Sequence, residues 1–407
     1  MKKMFLWALP LLFCVACNND DPAPDGPIHV EFTQVNQTDY AAAGNKFADK
    51  LFNYLAALPD NANSNVTVSP VSMQYLLAMV ANGASDEARD EIRKALSMND
   101  FTLDDINTHS SELIHKLPTE DAYVNLELAN GAWTDKAFEP KTSFVNRLKA
   151  SYNAEVSTLD FKFHTADAAA AINKWAKDKT HGLIPKVSLD ITNETQMVLA
   201  NAVYFNGKWS NPFDKKDTRD APFTNEDGTK ATVHMMSSEL TAPLYQADGL
   251  TAVELPYGKG YFSMMLVMPD EGRPIADFNS TFDWWELHQK MNNRTRMVVR
   301  LPRFVVGNSW KKLVDACKAM GIERIFKEGG LSNLSDTPLA ISQICQDIHT
   351  AVDESGTKAA AVSTASIDLA SPGIIEPPII EFNRPFLYII RENTTGTILF
   401  MGKIAKL

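Results

Sequence analysis

The run Asp353-Glu-Ser-Gly-Thr-Lys-Ala-Ala-Ala-Val-Ser-Thr-Ala-Ser-Ile-Asp-Leu-Ala-Ser371, followed by Pro372-Gly373, decides how the rest of the chain is interpreted. It is rich in Ala, Ser and Thr and contains neither a proline nor an aromatic residue. Every second residue from Thr357 to Ile367 is uncharged, whereas the alternate set carries Lys358 and Asp368. This alternation is typical of a strand with one face on a packed core and the other in solvent.

The same stretch would be a poor permanent strand, because alanine is depleted in sheets and buries little area. As an exposed loop it is long, and loops of this length tend to be functional or disordered. Taken alone, the stretch therefore leaves two interpretations open: an Ala/Ser-rich surface linker, or a strand that slides over a packed core.

The composition of the chain limits the classes of protein to which it can belong. The chain has 407 residues, of which 45% are apolar, enough for a sizeable core in one large domain. Acidic residues outnumber basic ones by 50 to 39, giving a net charge of −11 that argues against nucleic acid as the main partner. We find no zinc-protease, nucleophile-elbow or phosphate-loop motif and no pair of Cys-x-x-Cys motifs, and the eight histidines lack metal-ligand spacing. The sequence therefore predicts no enzyme, no cofactor and no metal site.

Several motifs around the run resemble one family. Glu354-Ser-Gly-Thr-Lys-Ala-Ala-Ala361 resembles the proximal hinge of the reactive-centre loop of serpins, the serine-protease-inhibitor fold family. Downstream, Pro377-Pro378, Phe382-Asn-Arg-Pro-Phe386 and Ile398-Leu-Phe-Met-Gly-Lys403 resemble the C-terminal signature of that family. The resemblance covers about residues 38–407. It implies an α+β serpin fold with about eight or nine helices around three β-sheets and an exposed reactive-centre loop at about 354–378.

Periodicity and the resemblance together predict the elements. Helices are expected at Tyr40–Leu58, from Pro70 with Ser69 as the cap, and at Ala168–His181, Trp310–Met320 and Leu339–Ile344. Strands are expected at Asn65–Val68, Val124–Trp133, Met197–Phe205 and Met297–Phe304, with a hairpin from Glu254–Tyr257 and Phe262–Pro269.

The resemblance implies a mechanism in which the loop is bait. A protease nucleophile attacks it, an acyl-enzyme forms, and the freed arm of the loop inserts into the main sheet. The implied hinge residues are Glu354, Gly356, Thr357, Ala359, Ala360 and Ala361. From Gly356 to Ser371 there is no proline, and the inward set carries no charge, so this loop can form a central strand.

The scissile bond is predicted by counting along the loop. The usual family length counted forward from Glu354 places it at Ala370–Ser371, and counting backward from Phe382 places it near Ile374. Ala370 suits an elastase-like pocket, and the alternative Leu369 suits a chymotrypsin-like one. We therefore expect serine proteases as covalent partners, and papain-like cysteine proteases as further candidates.

A second site is the gate that holds the two central strands together before insertion. By resemblance it contains Ser69, Ser72 and Asn201. The family's histidine partner aligns with Gln346, which can donate and accept through one amide but lacks the pH response of an imidazole.

The N-terminus resembles a lipoprotein signal. In residues 1–16, Lys2 and Lys3 precede an apolar run too short to span a bilayer. Val15-Ala16-Cys17 resembles a bacterial lipobox, whose cysteine is acylated, although Cys14 stands where an aliphatic residue is usual. The alternative is a plain secretory signal with unmodified cysteines.

Residues 17–37 are predicted to be the acylated Cys17 and a proline-containing tether. Asn18-Asn-Asp-Asp21 resembles the surface-export signal of lipoproteins in Bacteroidota-type bacteria, so we expect a monomer anchored at the outer-membrane surface. Cys317 and Cys345 are expected to be buried free thiols, since two cysteines make no disulfide framework. The rival functional hypothesis is a non-inhibitory member that serves as a decoy or surface binding module.

Overall fold

The architecture is taken from a computed structural model, which describes residues 27–31, 36–187, 189–278, 283–311, 313–357 and 376–407. In this described part the α-helices are α1 Asp39–Ala56, α2 Pro70–Ala81, α3 Asp86–Ala95, α4 Leu103–Lys116, α5 Thr142–Tyr152, α6 Thr165–Lys179, α7 Trp284–Lys290 and α8 Leu313–Ala319. The strands are β1 Val66–Val68, β2 Val124–Asp135, β3 Glu155–Leu159, β4 Met197–Lys208, β5 Arg219–Thr224, β6 Lys230–Ala247, β7 Leu250–Tyr257, β8 Phe262–Pro269, β9 Arg294–Pro302, β10 Phe304–Trp310, β11 Gln343–Asp353, β12 Gly356–Thr357, β13 Ile379–Glu381, β14 Phe386–Glu392 and β15 Ile398–Ile404.

One sheet has six strands in the order β10-β11-β12-β4-β2-β3. At its centre the parallel strands β11 and β4 pair directly from Gln343–Asp347 to Val198–Ala202. Further along β4, the two-residue strand β12 takes the place of β11 as the neighbour and pairs with Gly207 and Lys208. The two central strands therefore diverge, and the start of the loop lies between them.

The other strands follow a path of β1-β15-β14-β8-β7-β6-β9-β13, with β5 paired to β6. The long strand β6 carries this path through two sections: its first fourteen residues pair with β5 and β9, and its last four residues pair with β7. Together with the six-stranded sheet, these two sections confirm the predicted α+β architecture.

Strand β4 is buried on both faces. Its residues Val198, Ala200 and Ala202 pack with α6 in a thin layer. The alternate residues, among them Leu199 and Val203, face the main core. Burial on both faces explains why this strand reads as an almost continuous apolar run.

Most predicted elements are confirmed with shifts at their ends, but two expectations are wrong. Residues 339–342 form neither helix nor strand, and Gln343 and Ile344 begin β11. Leu339, Ile341 and Ile344 are all buried in the core, and the interval of three between Ile341 and Ile344 matches helical spacing over so short a run. Trp310 ends β10 rather than beginning α8.

Two local expectations also change. Ser69 occupies the N-cap position of α2, but its hydroxyl makes no capping hydrogen bond. Residues 27–31 and 36–37, predicted as tether, contact the folded body through backbone hydrogen bonds. Cys317 and Cys345 are buried free thiols, as predicted. No helix in the described ranges is both long and apolar enough to cross a membrane.

A buried ion pair joins β7 to β14. The Arg391 guanidinium donates to Glu254 Oε1 at 2.6 Å, and both side chains are almost fully buried. Burial would raise the pKa of Glu254, but Arg391 and His288 hold it down at about 2. An unfolded glutamate has a pKa of about 4.3, so this carboxylate stabilises the fold above pH 4 and loses that effect as the pH falls towards 2.

We predict that Glu254→Gln lowers stability at pH 6, because it leaves the Arg391 charge buried without its partner. The wild-type advantage should shrink by about 2 kcal/mol between pH 6 and pH 3, as the wild-type carboxylate loses its contribution. Thermal unfolding midpoints of both proteins at the two pH values measure this. If the difference between the two midpoints stayed constant or widened at pH 3, the lowered pKa of Glu254 would be contradicted.

Candidate functional site

The predicted hinge lies at the edge of the six-stranded sheet where β4 and β11 end. Gly356 and Thr357 form β12, which pairs with Asp353 and Val352 on one side and with β4 on the other. The first two residues of the predicted inserting segment are therefore already part of the sheet.

Only glycine fits at the first of these positions. Gly356 has φ +153°, and a Cβ added there would lie 1.9 Å from the carbonyl oxygen of Gly207 on β4. Because a backbone atom cannot give way as a flexible side chain can, any larger residue would push β12 out of the sheet.

Thr357 faces the core. It is 2% exposed, and its hydroxyl lies 2.6 Å from the hydroxyl of Tyr257 on β7. Burial raises the pKa of Tyr257 well above its usual value, so this phenol stays protonated. The Tyr257 ring stacks on Trp209 with centroids 4.4 Å apart. Thr357 thus has the inward orientation that the period-two reading requires.

Glu354 anchors the hinge through its side chain. Its carboxylate accepts hydrogen bonds from Arg303 at 2.5–2.9 Å and from Thr218 Oγ1 at 2.5 Å. Burial opposes ionisation, but these partners hold its pKa below the ordinary value. The Glu354 carbonyl accepts from Phe213 N at 2.8 Å, and the Ser355 carbonyl accepts from Trp209 N at 2.9 Å.

Arg303 also links the two ends of the loop. It separates β9 from β10, the point where the chain passes from one sheet to the other. Beyond the loop, β13 returns beside β9, pairing Ile379–Glu381 with Val298–Arg300. Both ends of the loop are therefore fastened to the short segment 298–303.

Three of the four predicted gate residues meet in one buried cluster. Ser69 N donates to Gln346 Oε1 at 3.1 Å, and Gln346 Nε2 donates to Ser69 O at 2.9 Å. The Ser69 hydroxyl donates to Leu399 O at 2.8 Å and lies 2.8 Å from the Ser72 hydroxyl. The glutamine amide thus pairs with the backbone of Ser69 as a neighbouring strand would.

The fourth residue points elsewhere. Asn201 is the ladder partner of Gln346 across β4 and β11. Its amide nitrogen donates to Asn130 Oδ1 on β2 at 2.8 Å, and its own Oδ1 is buried without a hydrogen-bond partner among the described residues. Gln346 therefore ties β11 to the start of α2, while its backbone belongs to the ladder that joins β11 to β4.

Sequence reasoning missed the side chains that hold the hinge. Tyr257 lay in a predicted hairpin strand, and neither it nor Trp209 and Thr218 carried a sign of contact with the loop. Arg303 had no signal, since it acts as a single residue at a strand break. The predicted residues Ala359, Ala360, Ala361, Leu369, Ala370, Ser371, Ile374 and Cys17 lie outside the described ranges.

Comparison with known proteins fits this geometry. A sequence profile of the family described as Serpin (serine protease inhibitor) matches residues 42–407. This chain belongs to the serpin family. The serpin is 32% identical to Serpin-Z10 of Arabidopsis thaliana over 357 residues, covering 84% of this chain and 91% of that one. It is 31% identical to an uncharacterized serpin-like protein of Thermococcus kodakarensis over 366 residues, covering 88% and 84%.

Solved structures agree. The native state of the thermophilic serpin tengpin superposes with a TM-score of 0.81 at 28% identity, covering 93% of this serpin and 98% of tengpin. Thyroxine-binding globulin in complex with thyroxine gives 0.81 at 26% identity, covering 91% and 99%. Serpins are in general protease inhibitors rather than enzymes. In the described residues, no group of three His, Cys, Asp or Glu side chains could hold a metal ion.

The first prediction concerns the hinge. Replacing Thr357 with Arg should abolish stable protease complexes and turn the serpin into a substrate, because a buried unpaired charge beside Tyr257 costs several kcal/mol. Thr357→Ser, which keeps the hydroxyl, should preserve complex formation. Denaturing gels after incubation with a protease that cleaves the loop read both variants; equal complex yields would contradict the inward placement of residue 357.

The second prediction concerns the gate. In Gln346→His, burial should depress the imidazole pKa, so the neutral ring is favoured in the folded state and the charged ring in the unfolded state. Stability from this position is then present above pH 7 and lost, by about 1–2 kcal/mol, as the pH falls through 6. The measurement compares melting temperatures of Gln346→His and wild type at pH 7.5 and 5.5. An unchanged difference would show that position 346 does not sense protons.

Proposed function

We propose that this serpin is a covalent-trapping inhibitor of serine proteases. The observation that carries the proposal is the position of Gly356 and Thr357, which already form the first two residues of a strand between β11 and β4. Because the first residues of the loop already pair with β11 and β4, the residues that follow could extend the same strand once the loop is cut.

The sheet offers an interval for that continuation. Between the Ala202–Asp347 pairing and the Gly207–Thr357 pairing, the described residues give no ladder between β4 and β11. Before this interval, at the start of β4, the two strands pair over five residues, and insertion would have to separate the strands there. An inserted strand of about fifteen residues would gain main-chain hydrogen bonds worth about 1 kcal/mol each, on the order of 10 kcal/mol in total.

The side chains of the loop support insertion as well. Thr357 faces the core, so the residues that follow it with period two would face the core after insertion. That set is Thr357, Ala359, Ala361, Ser363, Ala365 and Ile367, in which no side chain is charged.

We propose that the reactive bond is Ala370–Ser371 and that the target class is elastase-like, since an elastase pocket accepts small side chains. Leu369 and Ile374 are the alternative specificity residues, and papain-like cysteine proteases are further candidate targets. We also propose that the serpin acts as a monomer at the bacterial cell surface, anchored through an acylated Cys17, where it would protect the cell from foreign proteases.

The second candidate function is a non-inhibitory one, as a decoy or surface binding module. It is favoured by the similarity to thyroxine-binding globulin, a serpin whose structure is a complex with thyroxine. The loop is also about four residues longer than the usual family pattern. The two functions differ in outcome, because an inhibitor retains the protease and a decoy is only cleaved.

We predict that residues 18–407, incubated with pancreatic elastase, form a complex that survives SDS. Mass spectrometry should detect a released peptide that begins at Ser371. A peptide beginning elsewhere would reassign the bond and keep the mechanism. Complete cleavage without complex, repeated with serine and cysteine proteases, would leave the binding-module function standing.

A matched variant tests the specificity residue. Ala370→Arg should lose the elastase complex and gain a trypsin complex, because trypsin requires a basic side chain before the bond it cuts. Leu369→Arg is the control. If only this control gained the trypsin complex with cleavage after residue 369, the assignment to Ala370 would be wrong.

A further inference from the structure

The segment before α1 runs along the flank of the molecule. At its α1 end, Thr38 N donates to Thr395 O at 2.9 Å and Asn36 N donates to Asn393 O at 3.0 Å. On the other side of residues 32–35, Glu31 N donates to Lys259 O at 2.8 Å. The Lys259 ammonium also lies 2.8 Å from the Glu31 carboxylate.

The segment reaches the hinge. Ile28 N donates to Ser210 O at 2.7 Å. The preceding residue, Trp209, donates its backbone N–H to Ser355 O and its indole N–H to Asp353 O. Ile28 is therefore hydrogen-bonded to Ser210, and the neighbouring residue Trp209 holds the hinge. The segment before α1 thus lies beside the hinge, although the two are far apart in sequence.

From these contacts we infer that the lipid anchor leaves the molecule beside the reactive-loop hinge, so that the pole bearing the loop faces the membrane. The inference rests on the proposed anchor at Cys17. Its partner is a protease that meets the loop within reach of the tether at the lipid surface. Loop insertion would then carry the captured protease towards the opposite pole, away from the membrane.

The length of the tether excludes the inverted orientation. The chain from Cys17 to Pro27 spans at most about 35 Å, because an extended chain covers about 3.5 Å per residue. Strand β4, with 12 residues, is about 38 Å long, and the loop that contains Glu194 lies beyond its far end. To stand on that far pole, the serpin would need its hinge higher above the lipid than the tether can reach.

The test measures energy transfer from a dye on the protein to acceptor lipids. A hexahistidine tag replaces residues 18–23 at the N-terminus, so that the lipid-bound end stays no further from Pro27 than Cys17 is, and the protein binds vesicles that contain nickel-chelating lipid. The dye is placed on Asp217→Cys, in the loop that surrounds Glu354, or on Glu194→Cys at the other end of β4. Cys317 and Cys345 stay unlabelled, because burial protects them and raises the pKa of each thiol to about 12.

We expect transfer to be about twofold higher from position 217 than from position 194, because β4 separates the two sites by about 38 Å. Equal transfer, or higher transfer from position 194, would overturn the inference. Inserting thirty Gly and Ser residues after Pro24 should make the transfer from the two dye positions equal, since the longer tether removes the constraint.

A second variant tests the docked segment itself. Ile28→Pro with Glu31→Pro removes the two N–H donors that bond Ser210 and Lys259, so residues 28–35 would join the tether. The difference between the dye positions should then fall, and an unchanged difference would overturn the role of these bonds.

The assay is independent of the proposed function. It needs neither acylation nor inhibition, so failure of the elastase experiment leaves its result intact. Acylation is read separately from the mass of the native protein extracted from membranes; an unmodified Cys17 would remove the anchor, and with it the membrane-facing orientation.

Discussion

The described structure depends on a change of neighbour along β4. From Val198 to Ala202 this strand is sealed against β11, and at Gly207 it is paired with the hinge instead. Buried backbone groups require hydrogen-bond partners, so the divergence can be closed only by the two strands coming together or by a third strand entering. The position of β12 favours the second route. The hinge residues Gly356 and Thr357 lie at one end of the unpaired interval of β4, and Gln346 lies at the other end.

The gate uses the backbone more than the side chains. Gln346 pairs with both backbone groups of Ser69, which fastens β11 to the layer beneath the sheet, and leaves the contact with β4 to ladder hydrogen bonds. Those ladder bonds can be exchanged for bonds to an entering strand without loss of pairing. On the α6 side of β4, the small side chains Ala200 and Ala202 pack in a layer that also contains Trp133 and Trp175.

Two buried carboxylates differ in how far their arginine partners are exposed to water. Glu254 is paired with Arg391, whose side chain is only 4% exposed, and this pair lies deep between two strands of one sheet. Glu354 is equally buried, but its partner Arg303 is 39% exposed. Water can solvate the Arg303 charge if the pair separates, so the hinge contact can be released at a lower cost than the contact in the core.

Sequence could predict the fold, because the signature stretches lead into β14 and form β15, and the apolar run forms β4, where packing constrains the residues. It could also predict which face of Thr357 turns inward, since alternation is a property of strands. It could not predict that Arg303 holds Glu354, because a pair of single residues on different elements leaves no periodic pattern. The docking of residues 27–31 was hidden as well, since backbone hydrogen bonds do not depend on side-chain identity.

The attachment of both loop ends to residues 298–303 has a mechanical consequence. The hinge is held by Arg303, and the returning strand β13 is held by the three residues from Val298 to Arg300. The described residues on either side of the loop are thus attached to one short segment, so the distance between these two attachments stays constant when other parts of the molecule shift. A cut in the loop would leave both attachments in place. Of the two described ends, the one that finishes at Thr357 lies between β11 and β4, whereas the other leads into β13 beside β9.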